Sequence, residues 1–98
     1  MKAIKKLVNQ INEEIEGACD YAEKYVDMKA HDNKWASQYK SMAEDELRHS
    51  DILHQIAVEE IALLRKIYQP TSDMEKAWEE SHMKYVEKTA WIKQMLSM

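Results

Sequence analysis

Only one glycine, Gly17, and one proline, Pro70, occur among the 98 residues of this chain. Sheet proteins need many tight turns, and glycine and proline are residues that such turns favour. A β-sandwich or β-barrel is therefore disfavoured. The sequence is rich in alanine, glutamate, lysine, leucine and methionine, which all favour helices. We expect one all-α domain spanning residues 1–98, because a chain of this length supports no second domain.

Charge and cysteine content argue against several classes of function. The formal net charge is −4, so the sequence does not favour nucleic acid as a partner. No apolar segment has the length of a membrane span or of a signal peptide. The single cysteine, Cys19, excludes an intrachain disulfide and a four-cysteine metal site. A lone cysteine is typical of a reducing compartment, and we expect a cytoplasmic protein.

Three helices are predicted, over about residues 2–30, 34–68 and 72–96. A turn separates the first two, and Asp32 or Asn33 can cap the second helix there. Pro70 ends the second helix. The segment from Ser72 to Glu75 has the S-x-x-E form of a capping box, which predicts the start of the third helix. The short turn between the two long helices predicts an antiparallel hairpin.

This hairpin cannot bury all of its own apolar surface. On the first helix, apolar residues recur in alternating steps of four and three, which indicates a helix packed nearly parallel to its neighbours. Gly17 interrupts this pattern at a cost of about 1 kcal/mol relative to alanine, and it allows a close approach by another backbone. We expect the third helix to cover part of the apolar surface and a second copy of the chain to cover the rest.

Three ionisable residues interrupt the apolar stripes. Glu14 lies among apolar residues that follow it and precede it on the first helix at steps of three and four. On the second helix, Glu46 and His49 lie one turn apart in a stripe that also contains Met42 and Leu53. A buried carboxylate and imidazole are costly without a partner, and apolar neighbours provide none. A metal ion is a suitable partner, since carboxylate oxygens and imidazole nitrogens are common ligands.

The spacing has a second interpretation. Glu46 and His49 can pair within their own helix, while Glu14 meets a lysine or a tyrosine. An E-x-x-H spacing also occurs at Glu79 and His82, where the surrounding positions are less uniformly apolar, and we expect that pair at the surface or at an interface. Without a bound metal, or with a purely structural one, the chain would be a non-enzymatic helical assembly protein whose polar residues set the packing register.

The segments Glu13 to Tyr21 and Met42 to His49 resemble the ferritin-like di-iron superfamily, most nearly its encapsulated-ferritin and rubrerythrin branches. In that superfamily, a glutamate on one helix and an E-x-x-H motif on the next bind iron, and two such sets complete a four-helix bundle. The motif occurs once here, as in the short encapsulated ferritins that dimerise. The resemblance implies two iron ions per homodimer, held by Glu14, Glu46 and His49 of each chain.

The resemblance also implies roles around these ligands. Glu13 and Glu16 match acidic positions near the path by which metal enters, and Tyr21 matches an aromatic residue near the site. Tyr39 is a further residue that could donate a hydrogen bond or supply an electron close to the ligands. The implied chemistry is ferroxidase-type oxidation of Fe(II), for iron handling or protection against oxidants. Manganese or zinc would also suit this set of ligands.

Two features depart from the family pattern. The chain lacks the four cysteines of a rubrerythrin electron-transfer domain, so a built-in electron donor is not expected. Residues 91–98 do not resemble a capsid-targeting tail, so the resemblance does not imply loading into an encapsulating shell. The expected partners are metal ions and a second copy of the chain.

Overall fold

Three helices joined by two short connections form the fold. A computed structural model describes the backbone of residues 2–98 and the side chains from residue 4 onward. Helix α1 spans Lys2–Met28, α2 spans Asn33–Ile67 and α3 spans Ser72–Leu96. No strand occurs within residues 2–98. The predicted all-α class is confirmed, and each helix begins and ends within two residues of its predicted position.

Helices α1 and α2 lie along each other with opposite chain directions. Near one end of the molecule Tyr21 of α1 lies against Tyr39 of α2, and further along Glu14 of α1 lies against His49 of α2. Helix α3 follows the direction of α1, since Trp78 lies near Ile4 and Ile92 lies near Ile15. The molecule measures 54 × 17 × 17 Å. Its long axis is therefore close to the length of a single 35-residue helix, about 52 Å.

The core lies where all three helices meet. Four alanines have no exposed surface, which lets the helices pack closely: Ala18 and Ala22 on α1, and Ala43 and Ala57 on α2. Helix α3 covers the apolar stripe of α1 that contains Ile11 and Ile15, and this stripe is therefore buried within a single chain. The residues of the core are Ile11, Ile15, Ala18, Ala22, Ala43, Leu47, Ala57, Ile92, Met95 and Leu96.

Side-chain caps define where α2 and α3 begin. The Asp32 carboxylate accepts a hydrogen bond from the Trp35 backbone amide, with an N to O distance of 3.1 Å. At α3 the cap is Thr71, whose hydroxyl accepts from the Met74 amide at 3.2 Å. The prediction that Ser72 caps α3 was therefore wrong by one residue. The glutamate of the predicted capping box, Glu75, instead accepts a hydrogen bond from Arg65 Nε at 2.9 Å, because that guanidinium lies across from it at the end of α2.

The Asp32 cap supports a prediction about stability. Replacing Asp32 by alanine is expected to lower the free energy of unfolding by about 1 kcal/mol, because the Trp35 amide loses its acceptor. Urea denaturation followed by circular dichroism measures this change. Asn33→Ala serves as the control, since Asn33 is exposed and is the first residue of the helix, next to the cap. Equal losses in both variants would contradict the assignment of Asp32 as the cap.

Candidate metal centre

The packing of α1 against α2 brings together the three ionisable residues singled out in the sequence. Glu46 and His49 project from α2 one helical turn apart. The opposite direction of α1 places Glu14 across from them. One carboxylate oxygen from each glutamate and one imidazole nitrogen of His49 all lie within 4.8 Å of one another. The helical spacing therefore identified a group that the tertiary structure brings together.

The separations within this group are close to those of a coordination shell. His49 Nδ1 lies 3.5 Å from Glu14 Oε2. With metal–ligand bonds of roughly 2.1 Å, two ligands on opposite sides of an ion are about 4.2 Å apart. The three ligand atoms lie within 4.8 Å of one another, which is slightly more than that span. Small rotations of the flexible glutamate side chains suffice to close the difference. The three side chains can therefore contact one ion together.

The electrostatics of the group favour a cation. Glu14 Oε2 is buried, and no donor within the described part of the chain makes a hydrogen bond to it. The neighbouring Glu14 carboxyl raises the pKa of Glu46, because a proton on Glu46 allows a hydrogen bond between the two; partial burial and repulsion between the charges act in the same direction. Two carboxylates that repel each other beside an imidazole form a ligand set that a divalent ion would stabilise.

One side of the group is open. The side chain of Glu14 is 29% exposed and that of His49 is 45% exposed. A shallow depression of the surface runs from this group to Gln10, Ile52 and Leu53. Glu14, Glu46 and His49 are therefore not fully buried, although their positions in the apolar stripes suggested that they would be. The reason is that α3 covers a different face of the α1–α2 pair.

The two acidic residues predicted along the metal path lie in different places. Glu13 is exposed and lines the depression beside Glu14 and His49. Glu16 lines a groove between α1 and α3, together with Cys19 and Lys88. Two residues correspond to more than half a turn of helix, so Glu14 and Glu16 point in different directions. The structure therefore brings only Glu13 to the neighbourhood of the candidate ligands.

The tyrosines predicted near the site form a pair of their own. The Tyr21 and Tyr39 rings have centroids 6.2 Å apart, with an angle of 29° between their planes. Each tyrosine is two helical turns, or about 10 Å, from the candidate ligand on its own helix. Lys24 Nζ lies 5.5 Å from the centre of the Tyr39 ring. The tyrosine pair therefore lies about two helical turns away from the three candidate ligands. There the two rings pack against each other, and a lysine lies over one of them.

A second polar cluster, between α2 and α3, was not predicted as a unit. His54 Nε2 lies 3.0 Å from His82 Nδ1, so one imidazole donates a hydrogen bond to the other. The His54 ring also stacks on Tyr85, with centroids 4.2 Å apart and planes inclined by 6°. Tyr85 donates a hydrogen bond to Asp51. The sequence contained a partial signal, because Trp78, His82 and Tyr85 share one face of the third helix.

This histidine pair predicts how stability depends on pH. Burial, and secondly the neighbouring His82, lower the pKa of His54, against a smaller opposite effect of Asp51. The unfolded chain, with a histidine pKa of about 6.5, therefore binds more protons than the folded chain as the pH falls below that value. Stability is expected to be highest above pH 7 and to decrease as the pH falls below about 6.5. Thermal unfolding of the metal-free protein across this range measures the effect.

Two variants separate this histidine pair from the other histidines. His54→Phe keeps an aromatic ring on Tyr85 but cannot bind a proton, and its thermal midpoint is expected to change less with pH. His31→Gln, in the exposed turn between α1 and α2, is expected to behave like the wild type. The same pH dependence in His54→Phe and in the wild type would contradict the prediction.

Comparisons of the chain with known protein families, with curated protein sequences and with solved structures found no match. Within residues 2–98, no helix combines the length and the apolar character needed to cross a bilayer.

Proposed function

We propose that the chain binds a divalent metal ion through Glu14, Glu46 and His49. The main support is the buried oxygen Glu14 Oε2, which accepts no hydrogen bond from the described residues and lies 3.5 Å from His49 Nδ1. A buried acceptor without a partner costs about 1–3 kcal/mol. A cation at this point would satisfy that oxygen, remove the repulsion between the two carboxylates and use the imidazole as a third ligand.

We further propose that a second copy of the chain completes the site. Three ligands leave part of an ion's coordination shell free, and the open side of the group lies beside exposed apolar residues of α2. Met42, Ile52 and Ile56 have 39%, 50% and 40% of their surface exposed. They flank Glu46 and His49 at helical spacing, so a second α1–α2 pair packed on this face would bury them and bring a second set of ligands. The result is a ferritin-like four-helix arrangement around two ions.

Iron is the metal we propose, with Fe(II) as the substrate of an oxidation. Carboxylate oxygens with one imidazole suit Fe(II), Fe(III) and manganese, and they also tolerate zinc. The four carboxylates of the dimer would stabilise the higher charge of Fe(III). In a ferroxidase reaction, two Fe(II) ions each lose one electron to dioxygen, which takes up two protons and leaves as hydrogen peroxide. This is the reaction implied by the resemblance of the motif to the ferritin-like di-iron superfamily.

Anaerobic loading with Fe(II), followed by desalting and elemental analysis, tests the proposal. We expect about one iron per chain, a dimeric mass by sedimentation equilibrium and oxygen consumption on exposure to air. No retained metal would contradict the metal site and favour the helical assembly protein. Retained iron without oxygen consumption would indicate a structural metal, and a monomer that retains iron would contradict the shared site.

Two matched variants test the role of the apolar face. Ile56→Asp places a charge on the same exposed face of α2, two helical turns beyond His49, and is expected to give a monomer that retains less iron and consumes no oxygen. Val86→Asp places the same charge on α3, at a side chain that is similarly exposed, and is expected to leave mass and iron content unchanged. Equal effects of the two substitutions would contradict dimerisation through the ligand-bearing face.

A further inference from the structure

Gly17 lies in the middle of α1, where helix geometry does not require glycine. No glycine of the described chain has a positive φ, so Gly17 has a backbone conformation that any residue can adopt. Glycine in a helix interior costs about 1 kcal/mol relative to alanine. The local backbone therefore gives no reason for glycine at this position, and the reason must lie in what surrounds it.

The nearest neighbour of Gly17 across the helix interface is the carboxylate of Glu46. A Cβ atom added to Gly17 would lie 3.2 Å from Glu46 Oε2, 3.6 Å from Glu46 Cδ and 3.8 Å from Glu46 Cγ. The expected close approach by another backbone is thus corrected: a side chain makes the approach. Elsewhere along this interface α1 carries alanines, such as Ala18 and Ala22, which are fully buried. Close packing of α1 therefore accommodates a Cβ at those positions.

We propose that Gly17 is a positioning residue for the metal ligand Glu46, an inference that rests on the proposed function. Without a Cβ at Gly17, the Glu46 carboxylate can lie against α1 and reach the point where Glu14 and His49 meet. A Cβ there would push the Glu46 oxygen away by a few tenths of an ångström. The Glu46 side chain then has less room for the small rotation that brings its oxygen to the ion, so the substitution weakens binding.

The proposal predicts that Gly17→Ala changes two properties in opposite directions. The thermal midpoint of the metal-free variant is expected to rise, because alanine favours the helix. Its affinity for metal is expected to fall by between about tenfold and 100-fold, the usual effect of a mutation that disturbs the orientation of a ligand. A purely structural role of Gly17 would change the midpoint and leave the affinity unaltered.

The test uses the full chain, with Co(II) as a probe for calorimetric titration and circular dichroism for the metal-free stability. Asn12→Ala is the matched control, because Asn12 is exposed on the same helix and alanine also favours the helix there. We expect this control to raise the midpoint without changing the affinity. Equal metal affinities of the wild type and Gly17→Ala would overturn the proposal.

A double-mutant cycle with Glu46→Asp keeps the test independent of the folding of one variant. Aspartate withdraws the carboxylate by one methylene group, so it no longer reaches the space beside residue 17. Gly17→Ala is therefore expected to cost no further affinity in the Glu46→Asp background. A full loss in both backgrounds would overturn the positioning role. Failure of the wild type to bind Co(II) or Fe(II) would instead overturn the proposed function, and the role of Gly17 with it.

Discussion

Replacing Glu14 by glutamine is expected to lower metal affinity by more than about 100-fold while making the metal-free protein more stable. The loss exceeds the 10–100-fold that follows removal of a group behind a ligand, because here a ligand itself is lost. The gain in stability has a separate cause. Glutamine is neutral and can donate a hydrogen bond to Glu46, so the variant removes both the charge repulsion and a buried acceptor that lacks a donor.

Calorimetric titration with Co(II) and thermal unfolding without metal measure these two effects. Glu16→Gln is the matched control, since it neutralises an exposed glutamate on the same helix that lies in the groove facing α3. We expect its metal affinity to match that of the wild type. Unchanged affinity in Glu14→Gln would show that the metal site lies elsewhere, and an equal loss in Glu16→Gln would show a general effect of charge.

Replacing Ile15 by alanine is expected to lower the free energy of unfolding by about 2–5 kcal/mol. Ile15 is 2% exposed and lies in the core that α1, α2 and α3 share, so alanine leaves a cavity there. For a domain of this size, such a loss is a large fraction of the total stability. Urea denaturation of the metal-free protein measures the change.

Ile67→Ala is the control for this core prediction, because the same atoms are removed from a residue that is 78% exposed. Its effect on the free energy of unfolding is expected to lie within about 0.5 kcal/mol of zero. Similar losses at the two positions would contradict the packing of α3 over the Ile15 stripe of α1.

The sequence was sufficient to predict the helices and the faces on which the candidate ligands lie. A helix repeats every 3.6 residues, so the neighbours of Glu14, Glu46 and His49 on their own helices follow from spacing alone. The scarcity of glycine and proline predicted long helices, and the predicted positions of the turns agree with the structure to within two residues. These properties depend on residues close together in the chain.

Spacing within one helix does not predict the contacts that side chains make where two helices meet. The capping residue of α3 is Thr71, and the glutamate of the expected capping box contacts Arg65 on α2. Gly17 contacts a carboxylate of α2, which no feature of α1 could reveal. Likewise, the spacing of His54 and His82 along the chain gives no indication of their direct hydrogen bond.

Helix periodicity is a property of each segment, so spacing alone predicts three long helices whose apolar faces are interrupted by Glu14, Glu46 and His49. Which face α3 covers, and with it which face stays open, depends on the packing of the three helices. Helix α3 packs on the Ile15 stripe, so the three candidate ligands lie together at an open surface beside exposed Ile52 and Ile56. That choice depends on how side chains from distant segments fit together, which the spacing within one helix does not specify.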